Sequence, residues 1–231
     1  MQKARDLIKN RFHTAQWYGF NLTMALISLF LALYFFGVIV DDLVDEETLF
    51  YLDFRVQSFI EGIITPELTQ FMVKITNLGG LYFTLIISAL IVIYFLYKRE
   101  WWDILTLVLV VVGGKILQIL LKIFFLRPRP TSPIVAAHGY SFPSGHALTA
   151  MLVYGFLIYI TWKSNSKKSF KMLIFLVSLF LILIIGISRI YLNVHWLTDI
   201  LGGYAAGFSW LVISIIMVKT VRHLKGRESE T

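Results

Sequence analysis

The chain has 231 residues, 58% of them hydrophobic, with a mean hydropathy of +0.75 and a formal net charge of +7. Soluble domains run nearer ~45–50% apolar on a similar count. Here the excess lies in long uncharged runs, so the chain reads as an integral membrane protein. The lack of cysteine excludes a disulfide framework, a thiolate metal site and a cysteine nucleophile.

Six apolar runs are long enough, or nearly so, to cross ~30 Å of hydrocarbon as helices of ~20 residues. They fall at roughly 17–40, 80–97, 104–125, 146–162, 172–191 and 199–218. The first lacks a small-residue cleavage site and reads as a retained span. Trp17, Trp101, Trp102, Trp162 and Trp196 stand near run ends, where an interfacial belt places them.

An even number of spans puts both termini on one side. That side collects Lys3, Arg5, Lys9 and Arg11, then Lys98 and Arg99, then Lys163, Lys167, Lys168 and Lys171, and finally Lys219, Arg222, Lys225 and Arg227. By the positive-inside rule it is the cytoplasmic face. The basic excess is thus a topology signal and a contact for anionic lipid heads, not a nucleic-acid surface.

The first connection on the opposite, outer face covers 41–79 and begins with Asp41, Asp42, Asp45, Glu46 and Glu47. Leu52, Val56, Phe59, Ile60 and Ile63 then recur at helical spacing. Thr65-Pro66-Glu67 reads as an N-cap, a proline at the first helical position and an acidic first turn, and Gly79-Gly80 ends the piece. One or two amphipathic helices on the outer surface are expected, either capping the bundle or guiding a substrate.

The other two outer connections gather polar residues. The third span ends in "LKIFFLRPRPTSP", with Lys122, Arg127 and Arg129; the fourth opens on Pro143-Ser144-Gly145-His146; the fifth and sixth are joined by "ISRIYLNVHWLTDILGG", with Ser188, Arg189, His195 and Asp199. Singly, each has a structural reading: a snorkelling lysine, interfacial arginines, a helix cap, a His–Asp pair one turn apart. Jointly they match phosphate transfer. Lysine and arginine supply a point charge and planar forks for phosphate oxygens. A Ser-Gly turn at a helix start presents N–H groups and the positive dipole end, and glycine lets the backbone come close. The i, i+4 spacing lets Asp199 accept from one ring nitrogen of His195, leaving the other neutral and nucleophilic. His146 supplies an acid for the leaving oxygen.

Lys122, six residues, Arg129-Pro130; Pro143-Ser144-Gly145-His146; and Ser188-Arg189, five residues, His195, three residues, Asp199: this order and spacing resembles the tripartite signature of the type 2 phosphatidic acid phosphatase superfamily. The resemblance is close over about 80–205 and loose over 41–79. It implies an all-α fold, a six-helix bundle forming one membrane-embedded domain over 1–231, with the signature at about 115–203 and the catalytic centre near the outer leaflet. It implies that Lys122, Arg129 and Arg189 bind phosphate, with Ser144 and Gly145 helping through backbone N–H groups. His146 is then the general acid, His195 the nucleophile and Asp199 its orienting partner.

No cofactor, metal or nucleic acid is implied, and no second carboxylate adjoins Asp199 in sequence to build an Mg²⁺ site. Arg127 lies outside the signature, Lys115 either lines the site or snorkels, and His138 reads as a loop residue. The expected substrates are a polyprenyl (undecaprenyl) diphosphate and phosphatidylglycerol phosphate, with phosphatidic acid or another lipid or sugar phosphate as alternatives. The alternative of another class is a non-catalytic lipid binder or translocator, for which cations alone would serve.

Overall fold

The computed structural model describes residues 21–45 and 48–228. Lys3, Arg5, Lys9, Arg11, Trp17, Glu46 and Glu47 lie outside the described residues. The described chain is all helical: α1 (Leu22–Asp45), α2 (Thr48–Glu61), α3 (Pro66–Asn77), α4 (Leu81–Lys98), α5 (Trp101–Phe125), α6 (Gly145–Lys163), α7 (Lys168–Tyr191) and α8 (Leu197–Glu228). Six stretches are long and apolar enough to cross a membrane: α1, α3 with α4, and α5 to α8. The protein is therefore a multi-pass membrane protein.

The expected span limits shift where local chemistry extends a helix. α1 runs on to Asp45, past the expected end at 40. Its last turn carries the start of the acidic run, and Asp42 accepts the Leu49 N–H of α2 at 3.0 Å. An anionic acceptor suits the N-terminal end of the next helix. α8 continues to Glu228 rather than ending near 218. Lys219 and Lys225 stay on this helix, over the rings of Tyr159 and Trp102.

α5 contains a π-helical stretch, Leu109–Gly113. The wider turn has a cause: the Trp210 indole N–H of α8 donates to the Leu109 carbonyl at 3.0 Å, inserting a side chain into the ladder.

α6 forms the centre of the bundle. Ala147, Leu148, Ala150, Leu152, Val153, Tyr154 and Phe156 are all buried on it, against α7 on one side and α8 on the other. The α6–α8 approach is fixed at Gly203. A Cβ there would stand 2.8 Å from the Ser144 carbonyl and 3.3 Å from the Leu148 nitrogen, both backbone atoms. Those atoms also make the first hydrogen bond of α6, Leu148 N–H to Ser144 O at 3.0 Å. Only a bare backbone at 203 lets α8 sit against this turn.

The two amphipathic helices appear as expected. Thr65 caps α3, its Oγ1 accepting the Leu68 N–H at 3.3 Å, with Pro66 and Glu67 in the first turn. Tyr191, at the end of α7, ties this cap down: its hydroxyl accepts the Thr65 N–H at 3.1 Å and contacts Thr69 Oγ1 at 3.1 Å. Of the expected Leu52, Val56, Phe59, Ile60 and Ile63, Ile60 is buried and Leu52 and Val56 are half-buried, but the most buried line of α2 differs in part. It runs through Asp53, Gln57 and Ile60, while Phe59 is exposed. A carboxylate is turned inward because a cation meets it there, as described below.

Candidate active site

The residues expected at the site come from the ends of α5, α6, α7 and α8 and the loop 126–144. Two local devices set the chain at His195. α7 ends in a Schellman turn: Asn193 adopts φ +54°, its N–H donates to Ile190 O at 2.9 Å, and Val194 N–H returns to Arg189 O at 3.2 Å. α8 then starts at once. Asp199, in its first turn, accepts the Trp196 N–H at 3.0 Å through Oδ2. A carboxylate in the first turn reaching back to the preceding N–H is the capping-box arrangement, also favoured by the helix dipole.

The same Oδ2 lies 3.2 Å from His195 Nδ1, and both side chains are buried. His195 Nε2 lies 3.2 Å from Arg129 Nη1. Guanidinium can only donate, so Nε2 must accept, and the proton resides on Nδ1 facing Asp199. Burial pulls the His195 pKa down to about 4, against the opposing pull of Asp199. The imidazole is therefore neutral at pH 7, with its lone pair on Nε2 among cations. ¹⁵N-histidine NMR of the solubilised protein should show His195 as the Nδ1–H tautomer at pH 7. Its midpoint should lie near pH 4 rather than near the ~6.5 of a free histidine; an Nε2–H tautomer would overturn this reading.

The cations reach the site from separate elements. Arg129 is held by three carbonyls: Gly139 at 2.8 Å, Val194 at 2.6 Å and His138 at 3.1 Å. His138 is thus a loop residue whose backbone, not its ring, serves the site. Lys122 Nζ donates to the Tyr140 carbonyl. Arg189 is buried, with Nη1 on Thr76 Oγ1 of α3 at 2.8 Å and Nε without a partner. A buried guanidinium N–H without an acceptor is costly unless an anion arrives to take it. Among the described residues nothing hydrogen-bonds the His146 imidazole, whose cationic neighbours are Arg189, Lys115 and Lys122.

At the start of α6 one expectation needs correcting. The Ser144 N–H donates to the Asp199 carbonyl at 2.9 Å, so it is not available to a phosphate. The bond joins the starts of α6 and α8 instead. Ser144 Oγ is buried and without a partner. Gly145 is a close-approach position: a Cβ there would overlap Gln118 Nε2. Gln118 in turn accepts from Lys115 Nζ at 3.0 Å. Lys115 is therefore drawn toward the site by a side chain that packs on the α6 terminus.

Arg127, left without a role by the sequence, bridges two carboxylates. Nη1 donates to Asp199 Oδ1 at 2.6 Å and Thr198 Oγ1 at 2.7 Å; Nη2 donates to Asp53 Oδ2 at 2.7 Å. Asp53 and Thr198 were not singled out in the sequence. The available signal was an acidic residue on the inner side of an otherwise apolar helix face. Thr76 carried no comparable signal.

The opposite end of the bundle is different in kind. It holds the Lys163–Asp103 ion pair at 2.6 Å and a cavity of about 460 Å³ bordered by Lys98, Asp103, Lys163 and Asn165. None of the site residues borders that cavity.

Comparisons with known proteins fit this geometry. The family model described as the PAP2 superfamily matches residues 103–223. Phosphatidylglycerophosphatase B of Bacillus subtilis (strain 168) is 35% identical over 144 residues, 62% of this chain and 71% of that protein. The crystal structure of a transmembrane PAP2-type phosphatidylglycerolphosphate phosphatase from Bacillus subtilis aligns with a TM-score of 0.72 at 30% identity, covering 84% of this chain and 96% of that one. The crystal structure of Aquifex aeolicus LpxE aligns with a TM-score of 0.57 at 27% identity, covering 71% and 94%.

Proposed function

We propose that this chain, which belongs to the PAP2 superfamily and is a membrane phosphatase, hydrolyses a lipid phosphate by passing the phosphoryl group through His195. The observation that carries the reading is the fixed His195 tautomer: Nδ1–H on Asp199, lone pair on Nε2, arginines on the far side. A phosphate entering the site takes over the Arg129 N–H that now caps Nε2 and also meets Lys122 and the unpartnered Arg189 Nε. Nε2 then attacks phosphorus. The bond to the lipid oxygen breaks, and His146 gives that oxygen a proton. Next, His146 takes a proton from water, the resulting hydroxide attacks the phosphorylated His195, and inorganic phosphate leaves. Three cations neutralise the transferred group, so no metal is needed.

Phosphatidylglycerol phosphate is the leading substrate. It is the one named for the Bacillus relatives, and the two chains align over most of their length. A polyprenyl diphosphate such as undecaprenyl diphosphate is the second reading, favoured by Lys115. This residue is seven positions before Lys122, about 10 Å deeper along the helix at about 1.5 Å per residue. Its Nζ is held by Gln118, beside Gly145 at the start of α6, so its charge would favour the inner phosphate of a diphosphate, which lies on the lipid-tail side of the transferred one.

Phosphate release by the purified protein decides both readings. The panel is phosphatidylglycerol phosphate, phosphatidic acid, a polyprenyl diphosphate and a soluble phosphate ester, each with and without chelator. Release that survives chelation is expected. Lys115→Met should lower diphosphate turnover at least tenfold relative to monophosphate. No release from any lipid, or full loss in chelator restored by Mg²⁺, would sink the respective claims.

The site faces outward and both termini are cytoplasmic, on the strength of the basic residues at the opposite ends of the helices. The chain lacks native cysteine, which makes the test direct. Cysteine placed at exposed His138 should react with an impermeant thiol reagent on intact cells, and cysteine at exposed Asn165 should not. The reverse pattern would invert the topology.

A further inference from the structure

We infer that Asp53 and Arg127 are positioning residues for the reaction, tying the surface helix α2 to the Asp199–His195 pair; the inference rests on the phosphatase reading above. Arg127 forms one bridge between two carboxylates, Asp53 at 2.7 Å and Asp199 at 2.6 Å. Asp53 is held by more than this. Its Oδ1 accepts the Thr198 N–H at 2.9 Å, and its Oδ2 accepts the Thr198 hydroxyl. Thr198 Oγ1 accepts from Arg127 in turn. Asp53 thus satisfies, from another helix, an N–H in the first turn of α8, a role usually filled by a residue of the helix itself.

Charge gives the pair its purpose. Arg127 alone would neutralise Asp199, which then would hold an imidazolium or phosphoimidazolium at His195 poorly. With Asp53 present, Asp53, Arg127 and Asp199 together keep one net negative charge beside His195 Nδ1. Burial raises the Asp53 pKa, but every partner of its oxygens is a donor, which the ionised form requires. Geometry adds to this. Arg127 stacks over Trp196 with 5.7 Å to the ring centroid, and Phe54 of α2 packs on the same Trp196, with ring centroids 5.2 Å apart. The residue adjoining His195 is therefore clamped between the arginine and α2.

The full-length protein in detergent micelles or nanodiscs tests this with Asp53→Asn, Asp199→Asn and the double variant on p-nitrophenyl phosphate. Asp53→Asn should lower kcat about 10- to 100-fold, the range seen when a group orienting a functional histidine is lost. KM should stay within about threefold, since no phosphate contact is removed. In the Asp199→Asn background the same change should cost less than about twofold, because the path through Asp199 is already broken. The low-field His195 Nδ1 proton signal should also shift in Asp53→Asn.

A wild-type kcat in Asp53→Asn, an effect confined to KM, or equal losses in both backgrounds would overturn the inference. If Asp53→Asn does not fold, Arg127→Gln in the same two backgrounds decides by the same criteria. If the wild type releases no phosphate, the phosphatase reading fails, while an unmoved Nδ1 signal in Asp53→Asn would refute the pair by itself.

Discussion

His195→Ala should abolish turnover of every substrate, whereas His146→Ala should be selective for the leaving group. On the proposed mechanism the phosphoryl group passes to His195 Nε2 whatever it leaves behind, so no substrate would escape loss of the nucleophile. A general acid matters only when the leaving oxygen is a poor anion. The alcohol of a glycerolipid phosphate needs the proton; nitrophenolate does not. General acid catalysis is worth ~10²–10⁴-fold, so His146→Ala should cost about that much on phosphatidylglycerol phosphate and far less on p-nitrophenyl phosphate. A diphosphate should fall between, its leaving phosphate being a better anion than an alkoxide. The His146 imidazole has no side-chain partner, and an incoming phosphate dianion would offset the cations around it and favour the protonated form that the role needs. Initial rates on the three substrates give the comparison. Equal losses for both variants on every leaving group would refute the division of labour, even with phosphatase activity intact.

Asp199→Asn should be nearly as damaging as loss of the nucleophile. Asp199 accepts from four donors: Arg127 and Ser141 on Oδ1, His195 and Trp196 on Oδ2. An amide has one acceptor oxygen, so its NH₂ must face donors whichever way it is turned. One rotamer sets the amide against Arg127 and leaves a buried guanidinium short of an acceptor. The other opposes His195 Nδ1–H and drives the ring toward the Nε2–H tautomer, which has no lone pair for phosphorus. Both also remove the net negative charge that Asp53, Arg127 and Asp199 together keep beside His195 Nδ1. In serine proteases the analogous change lowers kcat ~10⁴-fold by the same tautomer effect. A loss of about 10³- to 10⁴-fold in kcat is expected here on lipid and nitrophenyl substrates alike. With His195 as the proposed nucleophile for both, a loss confined to lipid substrates would show that Asp199 serves the leaving group instead. A helical CD signal and unfolding midpoint near wild type would separate the chemical effect from loss of the α8 cap.

The surface helices also account for how far the sequence could be read. Apolar runs of sufficient length, the Thr65-Pro66-Glu67 start and the spacing of the three motifs are local properties. Hydrophobicity over about 20 residues requires a span, and capping chemistry acts within one turn. For that reason the helix count, the α3 start and the gathering of His146, His195 and Asp199 near one depth were legible. Asp199 was legible for the further reason that His195 lies four residues away, within reach along the same stretch of chain.

Other features depended on residues far apart in sequence. Asp53 meets Arg127 and Thr198 across separations of 74 and 145 positions, and no local period marks it. Its inward turn adds Asp53 to the buried face of α2 beside Ile60, since an ionised carboxylate follows its cation rather than the apolar stripe. The Ser144 N–H looked free for phosphate because α6 begins there. Only the packing of α8, made close by Gly203, brings the Asp199 carbonyl to claim it. Likewise Lys115 takes its direction from Gln118, which rests on Gly145. The sequence alone marked the candidate groups, because their spacing and their place at the ends of apolar runs are local properties. The tertiary structure decided which of their donors are already taken and which charges are balanced, because those depend on atoms brought within about 3 Å by other helices.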